Sequence, residues 1–199
     1  MAKLRFRYGA MGAGKSFDLL KVAYNYEERG LKVLLLSPNK DDRYGKGKIT
    51  TRIGLQRDCL SVAEDMNIFS YVKKMTEKPN VILADEAHFL TEEQIYQLSD
   101  LADYFEIPVI CYGLRTDFRL DFFPGSKMLM ALADSVEEIK TICECGRKAI
   151  INMRFEDELA VLEGEQYLIG GNDTYKSVCR KCYKKYVIIS KKAKNLFDI

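Results

Sequence analysis

Near the amino terminus, Gly9-Ala10-Met11-Gly12-Ala13-Gly14-Lys15-Ser16 follows the pattern G-x-x-x-x-G-K-[ST]. Each residue type there has a chemical reason. Glycines tolerate positive φ and close backbone approach, so successive N–H groups can turn inward around a phosphate. Lys15 carries a point charge toward the β and γ phosphates of a nucleoside triphosphate such as ATP, and the Ser16 hydroxyl is placed to ligate Mg²⁺. About seventy residues later, Val81-Ile82-Leu83-Ala84 runs straight into Asp85-Glu86-Ala87-His88. That is the pattern of a buried strand delivering two acids beside the phosphates: Asp85 to hold Mg²⁺, directly or through water, and Glu86 to take a proton from an attacking oxygen. Many strands end in acids, so this run gains its meaning from the loop upstream. The competing reading of the loop, a chance glycine-rich turn, has to explain away flanks of the right kind.

A second constellation is made of cysteines. Cys143-Glu144-Cys145 and Cys179-Arg180-Lys181-Cys182 are separated by an insert of thirty-three residues. Four thiols in two close pairs fit a tetrahedral structural Zn²⁺ with thiolate ligands, although C-x-C is tighter than the usual spacing. The alternative is four unrelated reduced thiols. Cys59 and Cys111 lack such partners and read as ordinary buried thiols. Within the insert, the stretch from Glu163 to Tyr175 is a long excursion containing Gly164, Gly170 and Gly171. Closed at its base by the metal, it can be held over a neighbouring site and still open.

These residues need elements to position them. Leu4, Phe6 and Tyr8 alternate with charged residues as in a strand, and Phe17, Leu19, Leu20, Ala23 and Tyr24 recur at helical spacing after the loop. A strand, a glycine-rich turn and a helix with its amino end facing the phosphates suit an anion site. Lys32–Ser37 and Ile107–Tyr112 read as further buried parallel strands. Ser61 to Met75 reads as a helix, with Val62, Met66, Phe69, Val72 and Met75 on one side. Thr91-Glu92-Glu93-Gln94 reads as a capping box. Val136 to Ile142 reads as a last strand of the sheet. The polar stretch from Pro38 to Lys48, with Arg43 near the strand end, is either a surface excursion or a mobile active-site segment. The aromatics between Gly113 and Ser126 are loop-packing residues or the wall of a pocket for a flat ring.

The expectation is an α/β fold: a phosphate-loop, RecA-like, mainly parallel sheet of five or six strands flanked by helices, with a small zinc-stapled module. The expected division is 1–141 for the ATP-binding domain, 142–190 for the zinc-binding lid module and 191–199 for a basic, disordered tail. At 199 residues with 47% hydrophobic residues a normal core is expected. The formal net charge of +2 gives no global polyanion-binding signal. From Lys176 to Lys194, however, there are eight basic residues and no acidic one. That run is a solvated tail or, less simply, an RNA or DNA contact; nucleic acid is not the expected partner. No signal-peptide-like start and no apolar run of about 18 residues is found, so no membrane and a cytoplasmic location are expected.

Two classes compete for the activity. One is a small-molecule kinase, an ATP-binding core whose lid encloses an acceptor. The other takes Asp85-Glu86-Ala87-His88 as motif II of a nucleic-acid motor, but no second nucleotide-binding half follows it in this chain. A single-lobe ATPase or switch is the residual alternative.

Several motifs taken together resemble the type II thymidine kinases of the bacterial and cytosolic kind. They are GAMGAGKS at 9–16, DDRYG at 41–45, DEAHF at 85–89, GLRTDF at 113–118, FPGS at 123–126, TICECGRKA at 141–149 and IGGNDTYKSVCRKCY at 169–183. The resemblance implies ATP-dependent phosphorylation of the 5′-hydroxyl of thymidine, and of deoxyuridine, with Mg²⁺, for DNA precursor salvage. It carries over Glu86 as base, with Lys15, Ser16 and Asp85 around the phosphates and metal, and Arg43 near the transferred group. Met11, Phe89, Leu114, Phe118 and Phe123 match positions lining the thymine pocket. Leu168, Ile169, Gly170, Gly171 and Tyr175 match the lasso over the base. A homotetramer inhibited by thymidine triphosphate is implied as well. His88 stands where the family usually has glutamine, Leu120 where it usually has glycine, and Cys182 where some members have histidine.

Overall fold

The computed structural model describes residues 2–40, 47–168 and 174–197. In β1 (Leu4–Tyr8), Leu4 and Phe6 point into the core while Arg5 faces solvent. The phosphate loop follows, and α1 (Lys15–Glu27) buries Leu19, Leu20 and Ala23. Next come β2 (Val33–Pro38), a hairpin of β3 (Lys48–Thr50) and β4 (Gln56–Asp58), β5 (Leu60–Val62) and α2 (Ile68–Lys74). The chain continues through β6 (Val81–Ala84), a 3₁₀ turn at Ala87–Phe89, α3 (Glu92–Phe105), β7 (Val109–Gly113), α4 (Pro124–Leu132) and β8 (Ser135–Glu138).

Six strands form one sheet in the order β5-β2-β6-β7-β1-β8, and every neighbouring pair is parallel. Every residue of β6 and β7 is buried, which is why those segments read as unbroken apolar runs. The two-residue period of the strands assigns each side chain to a face. Leu35, Val81, Leu83, Ile110 and Tyr112 pack with Leu19, Leu20 and Ala23 of α1. Leu36, Ile82, Ala84, Val109 and Cys111 pack on the other face, with residues of α2, α3 and α4. Burying each such Leu or Ile stabilises the fold by about 1.5–3 kcal/mol. Because the strands are parallel, the loops after β1, β2, β6 and β7 all leave from one edge, where open α/β sheets hold ligands.

The capping box is present: the Thr91 hydroxyl accepts from the Gln94 N–H, and the Gln94 side chain accepts from the Thr91 N–H. Three readings are corrected. Ser61–Met75 is not one helix, because Leu60–Val62 pairs with β2 and the helix begins only at Ile68, capped by Asn67, whose side chain accepts from the Ser70 N–H. Val62, Met66, Phe69, Val72 and Met75 do share one core, but from a strand, the connection after it and a helix with its end, so helical spacing was a coincidence of packing. The last sheet strand ends at Glu138, while β9 (Thr141–Ile142) turns away to pair with β10 (Lys148–Ala149).

The carboxyl-terminal part adds β11 (Ile151–Glu156), β12 (Leu159–Ala160), β13 (Tyr175–Val178) and α5 (Arg180–Phe197). The three strands form a sheet in the order β12-β11-β13, around a core of Ala149, Ile151, Met153, Phe155, Ala160 and Val178. Tyr183, Tyr186 and Val187 of α5 pack on that core, and the buried Ser190 hydroxyl accepts from the Ala160 N–H. The third correction concerns the stretch from 191, which continues as helix to Phe197. A helix anchored as far as Ser190 propagates readily through lysine and alanine, both good helix formers. No helix among the described residues is long and apolar enough to cross a membrane.

Candidate functional site

The phosphate loop is shaped by three glycines with two different jobs. Gly12 and Gly14 have φ of 76° and 79°, the left-handed region that other residues enter at a cost. Gly9 has no such φ, but a Cβ there would lie 2.4 Å from the Ile139 carbonyl oxygen. The Gly9 N–H donates to the Gly113 carbonyl at 3.2 Å, so the loop leaves β1 pressed between the ends of β7 and β8. Lys15 opens α1 and is buried, its Nζ donating to the carbonyls of Gly9 at 3.2 Å and Ala10 at 3.3 Å.

Asp85 follows β6 directly and is buried. Its Oδ1 accepts from the Glu86 N–H at 3.0 Å, across a turn in which Glu86 has φ of 45°. A left-handed non-glycine residue costs about 1–3 kcal/mol and is found most often at functional sites. Ala87 is buried in the 3₁₀ turn below. His88 is also buried, and its Nδ1 lies 3.5 Å from the Glu86 carboxylate and accepts from the Leu114 N–H at 3.2 Å. Its ring packs at a tilt against Phe89 and edge-on to Phe123, with centroids 4.0 and 4.6 Å away. The FPGS motif has a packing reason here: a Cβ on Gly125 would lie 2.4 Å from the Ala87 carbonyl oxygen, so α4 can sit against this turn only with glycine at that position.

These parts surround a cavity of about 470 Å³. Met11, Gly12, Gly14, Lys15, Ser16, Asp85, Glu86, His88, Phe89, Leu114, Phe118, Phe123, Leu168 and Tyr175 all line it. Gly9, Ala10, Ala13 and Ala87 do not, and serve as backing for the loop and the turn. Arg43, Ile169, Gly170 and Gly171 lie outside the described residues. Of the aromatics after β7, Phe118 and Phe123 line the cavity, whereas Phe122 does not. Residues that sequence reasoning passed over also line the cavity, among them Thr50, Thr51 and Arg52 of the β3–β4 hairpin and Asn152, and from the expected excursion Gln166 and Tyr167 line it too. Asn152 had left a signal: it is the one polar residue in Ile150-Ile151-Asn152-Met153.

Both ends of the excursion are tied to the core. Arg119 Nε and Nη2 both donate to Oδ2 of the buried Asp117, at 3.1 and 3.0 Å, and Nη1 donates to the Gly164 carbonyl at 3.1 Å. Arg154 lies 4.6 Å over the Phe118 ring and donates to the Glu165 carbonyl at 3.1 Å. Gln166 donates to the Phe122 carbonyl, and the Tyr167 ring meets Phe89 at 5.0 Å. Across the neck, the Tyr175 hydroxyl accepts from the Leu168 N–H at 3.0 Å and donates to the Leu168 carbonyl at 3.2 Å.

The sulfur atoms of Cys143, Cys145, Cys179 and Cys182 all lie within 4.8 Å of one another. Thiolates about 2.3 Å from one tetrahedral zinc stand at this kind of mutual distance. The Cys182 N–H donating to Cys179 Sγ, helped by neighbouring thiols against the effect of burial, pulls Cys179 down to about 6. Hydrogen bonding with Cys145, then burial, pushes Cys182 up to about 12. Four thiols this close cannot all ionise unless a cation sits among them, so the cluster fits a structural zinc.

A ring of polar groups anchors α1 from below. Arg7 Nη1 donates to Asp18 Oδ2 at 2.8 Å and to the Tyr112 hydroxyl at 3.2 Å; that hydroxyl donates to Asp18 at 3.0 Å. Burial alone would raise the Asp18 carboxyl, but hydrogen bonds from Lys21 and Tyr112 and the charges of Lys21 and Arg7 outweigh it and hold it below its ordinary value.

A parallel sheet with a glycine-rich phosphate loop at its carboxyl edge and an acid pair on the next strand but one defines a phosphate-loop α/β protein. The chain belongs to the thymidine kinase family: the family model described as "Thymidine kinase" matches residues 2–183. It is 50% identical over 188 residues to a thymidine kinase of Haemophilus influenzae strain Rd, covering 93% of this chain and 97% of that protein. It is 51% identical over 189 residues to a thymidine kinase of Legionella pneumophila strain Paris, covering 93% and 90% respectively. Membership makes it a phosphotransferase of the kinase class. Among solved structures, Bacteroides Pif1 bound to ssDNA aligns with a TM-score of 0.37 at 14% identity, over 69% of this chain and 38% of that one.

Proposed function

We propose that this chain transfers the γ-phosphoryl group of ATP to the 5′-hydroxyl of thymidine, and of deoxyuridine, giving the 5′-monophosphate and ADP. One observation carries the reading. A single cavity is lined both by the phosphate loop and acid pair and by Phe89, Phe118, Phe123, Leu168 and Tyr175. A flat, neutral ring suits that aromatic lining, with its faces against the rings and its polar edges met by peptide groups.

In the proposed mechanism the loop N–H groups and the amino end of α1 cradle the phosphates, and Lys15 turns from the loop carbonyls to the β and γ phosphates. Ser16 and Asp85 are a hydroxyl and a carboxylate lining the same cavity, the hard oxygen donors that Mg²⁺ takes; the ion would neutralise phosphate charge. Glu86 accepts the proton of the 5′-hydroxyl as that oxygen bonds to the γ phosphorus and the bond to the β-phosphate oxygen breaks. Arg43 assists near the transferred group. The excursion from Glu163 to Tyr175 would act as the lasso over the nucleoside and exclude water, which would otherwise compete as acceptor. Cys143, Cys145, Cys179 and Cys182 would hold a structural zinc at the base of that lid. Residues 1–141 form the ATP-binding unit and 142–190 the lid module. A homotetramer in the cytoplasm, inhibited by thymidine triphosphate, completes the proposal.

The test is radiolabelled phosphate transfer from ATP to thymidine, deoxyuridine, deoxycytidine and deoxyadenosine. Product with the first two is expected. ATP hydrolysis stimulated by nucleic acid, without nucleoside product, would favour the motor reading instead.

A further inference from the structure

The phosphate loop owes part of its shape to a distant part of the chain. Within the loop's own backbone, the Ala13 N–H donates to the Ala10 carbonyl at 3.2 Å, and the Asp18 N–H closes the first turn of α1 on Gly14. Met11 is held differently. Its N–H donates to Asn152 Oδ1 at 2.7 Å, and its carbonyl accepts from the Ser177 hydroxyl at 2.6 Å. Asn152 and Ser177 sit directly opposite each other in the antiparallel pair β11–β13, so their side chains leave one face together. One supplies an acceptor and the other a donor, and between them they meet both backbone groups of a single residue. Ser177 also approaches Asn152 Oδ1 at 3.4 Å, which helps orient the amide. Asn152 is 5% exposed, so its acceptor is engaged away from competing water.

We propose that Asn152 and Ser177 are positioning residues that hold the phosphate loop in its binding shape by gripping both backbone groups of Met11. The physical need is clear. Gly12 and Gly14 follow the gripped residue closely, and glycine loses more backbone freedom on ordering than any other residue. A loop left to order itself around phosphate would spend that entropy at the moment of binding and weaken affinity accordingly. The grip moves the cost into folding. It also makes the carboxyl-terminal module part of the nucleotide site, since the strand pair that supports the loop also carries Tyr175, which lines the same cavity.

The inference rests on the proposed function, in which the loop binds nucleotide, and the experiment separates the two. Ser177→Ala, Asn152→Leu and the conservative Ser177→Thr are compared with the parent in the full chain by two readouts. Without nucleotide, hydrogen exchange of the peptide spanning residues 10–14 should speed up about tenfold or more in Ser177→Ala and Asn152→Leu, with exchange in β6 and β7 unchanged and Ser177→Thr close to the parent. Mg·ADP titrated by calorimetry should bind roughly tenfold more weakly to the first two variants, and KM for ATP should rise by a similar factor, while Ser177→Thr stays close to the parent in both. Parent-like exchange in both variants would overturn the proposal whatever their ADP affinity. A parent that bound no ADP would overturn the nucleotide reading, and the exchange comparison would still decide the grip.

Discussion

Replacing Asp18 with asparagine tests whether the polar ring under α1 holds the helix that opens onto the cavity. Asp18 is 2.8 Å from Arg7 Nη1, 3.0 Å from the Tyr112 hydroxyl and 2.5 Å from Lys21 Nζ. The side chains of Arg7 and Asp18 are each 21% exposed, whereas Lys21 is 56% exposed. A charge-assisted hydrogen bond contributes about 1.5–3 kcal/mol when largely withdrawn from water. The exposed Lys21 pair adds less than about 1 kcal/mol. Asparagine keeps a neutral acceptor for Tyr112 but loses the counter-charge to Arg7, so Asp18→Asn should destabilise by roughly 2–3 kcal/mol. At about 2–4 °C per kcal/mol for a chain of this size, the melting temperature should drop by roughly 5–10 °C. The pH dependence gives the sign. Asp18 is held below its ordinary value in the folded protein, so its contribution is fully present above the unfolded value of about 3.9 and is lost as pH falls through the lower, folded value. Urea unfolding at several pH values should therefore show a parent–variant gap that is flat from about pH 5 to 8 and closes below about pH 4. A gap under about 0.5 kcal/mol at pH 7, or one that persists in acid while the parent remains folded, would refute the reasoning.

Leu120 has φ of 75° and is 44% exposed, so Leu120→Gly removes a conformational cost of about 1–2 kcal/mol against about 0.5–1 kcal/mol of added chain entropy. A small net stabilisation by denaturant titration is expected, and a clear loss would contradict it. Because His88 Nδ1 accepts from the Leu114 N–H, His88→Leu should cost about 1–3 kcal/mol by leaving that donor unsatisfied. His88→Gln, which keeps an acceptor, should cost less than half as much in the same titration, and equal costs would show that packing alone matters. Metal analysis of the purified protein should find about one zinc per chain. Cys179→Ala should lose it, with hydrogen exchange rising in residues 143–193 and little changed in β6 and β7, whereas zinc-free parent protein would rule out the site.

What was legible in the sequence is what short motifs and short-range periodicity encode. The phosphate loop, Asp85-Glu86, the paired cysteines and the Thr91 box each declare themselves within a few residues, because their physics is local. The continuous apolar runs gave the buried strands for the same reason. Val62 misled because a core position at the sheet edge and one on the next helix can fall by chance at helical spacing. Thr141-Ile142 misled because a strand leaving the sheet for a neighbouring hairpin has no signature until its partner, Lys148-Ala149, is known. The lysines after Ser190 read as a tail because charge was weighed without the anchored helix that precedes them. Asn152 with Met11, and Arg119 with Gly164, join residues far apart in the chain, and no local pattern announces such pairs. Leu120 is intermediate: the resemblance marked its position as unusual, and its positive φ supplies the physical reason that glycine is favoured there.

The central claim, that this one cavity holds ATP and a pyrimidine deoxynucleoside for direct phosphoryl transfer, is tested most directly by product formation from γ-labelled ATP with the parent and Glu86→Gln. The parent should convert thymidine to its 5′-monophosphate with one ADP per product. Glu86→Gln should bind Mg·ADP as the parent does and turn over roughly 10²–10⁴-fold more slowly, the scale of a lost general base. A parent that formed no thymidine monophosphate, or a Glu86→Gln variant within a few-fold of the parent's rate, would contradict the account.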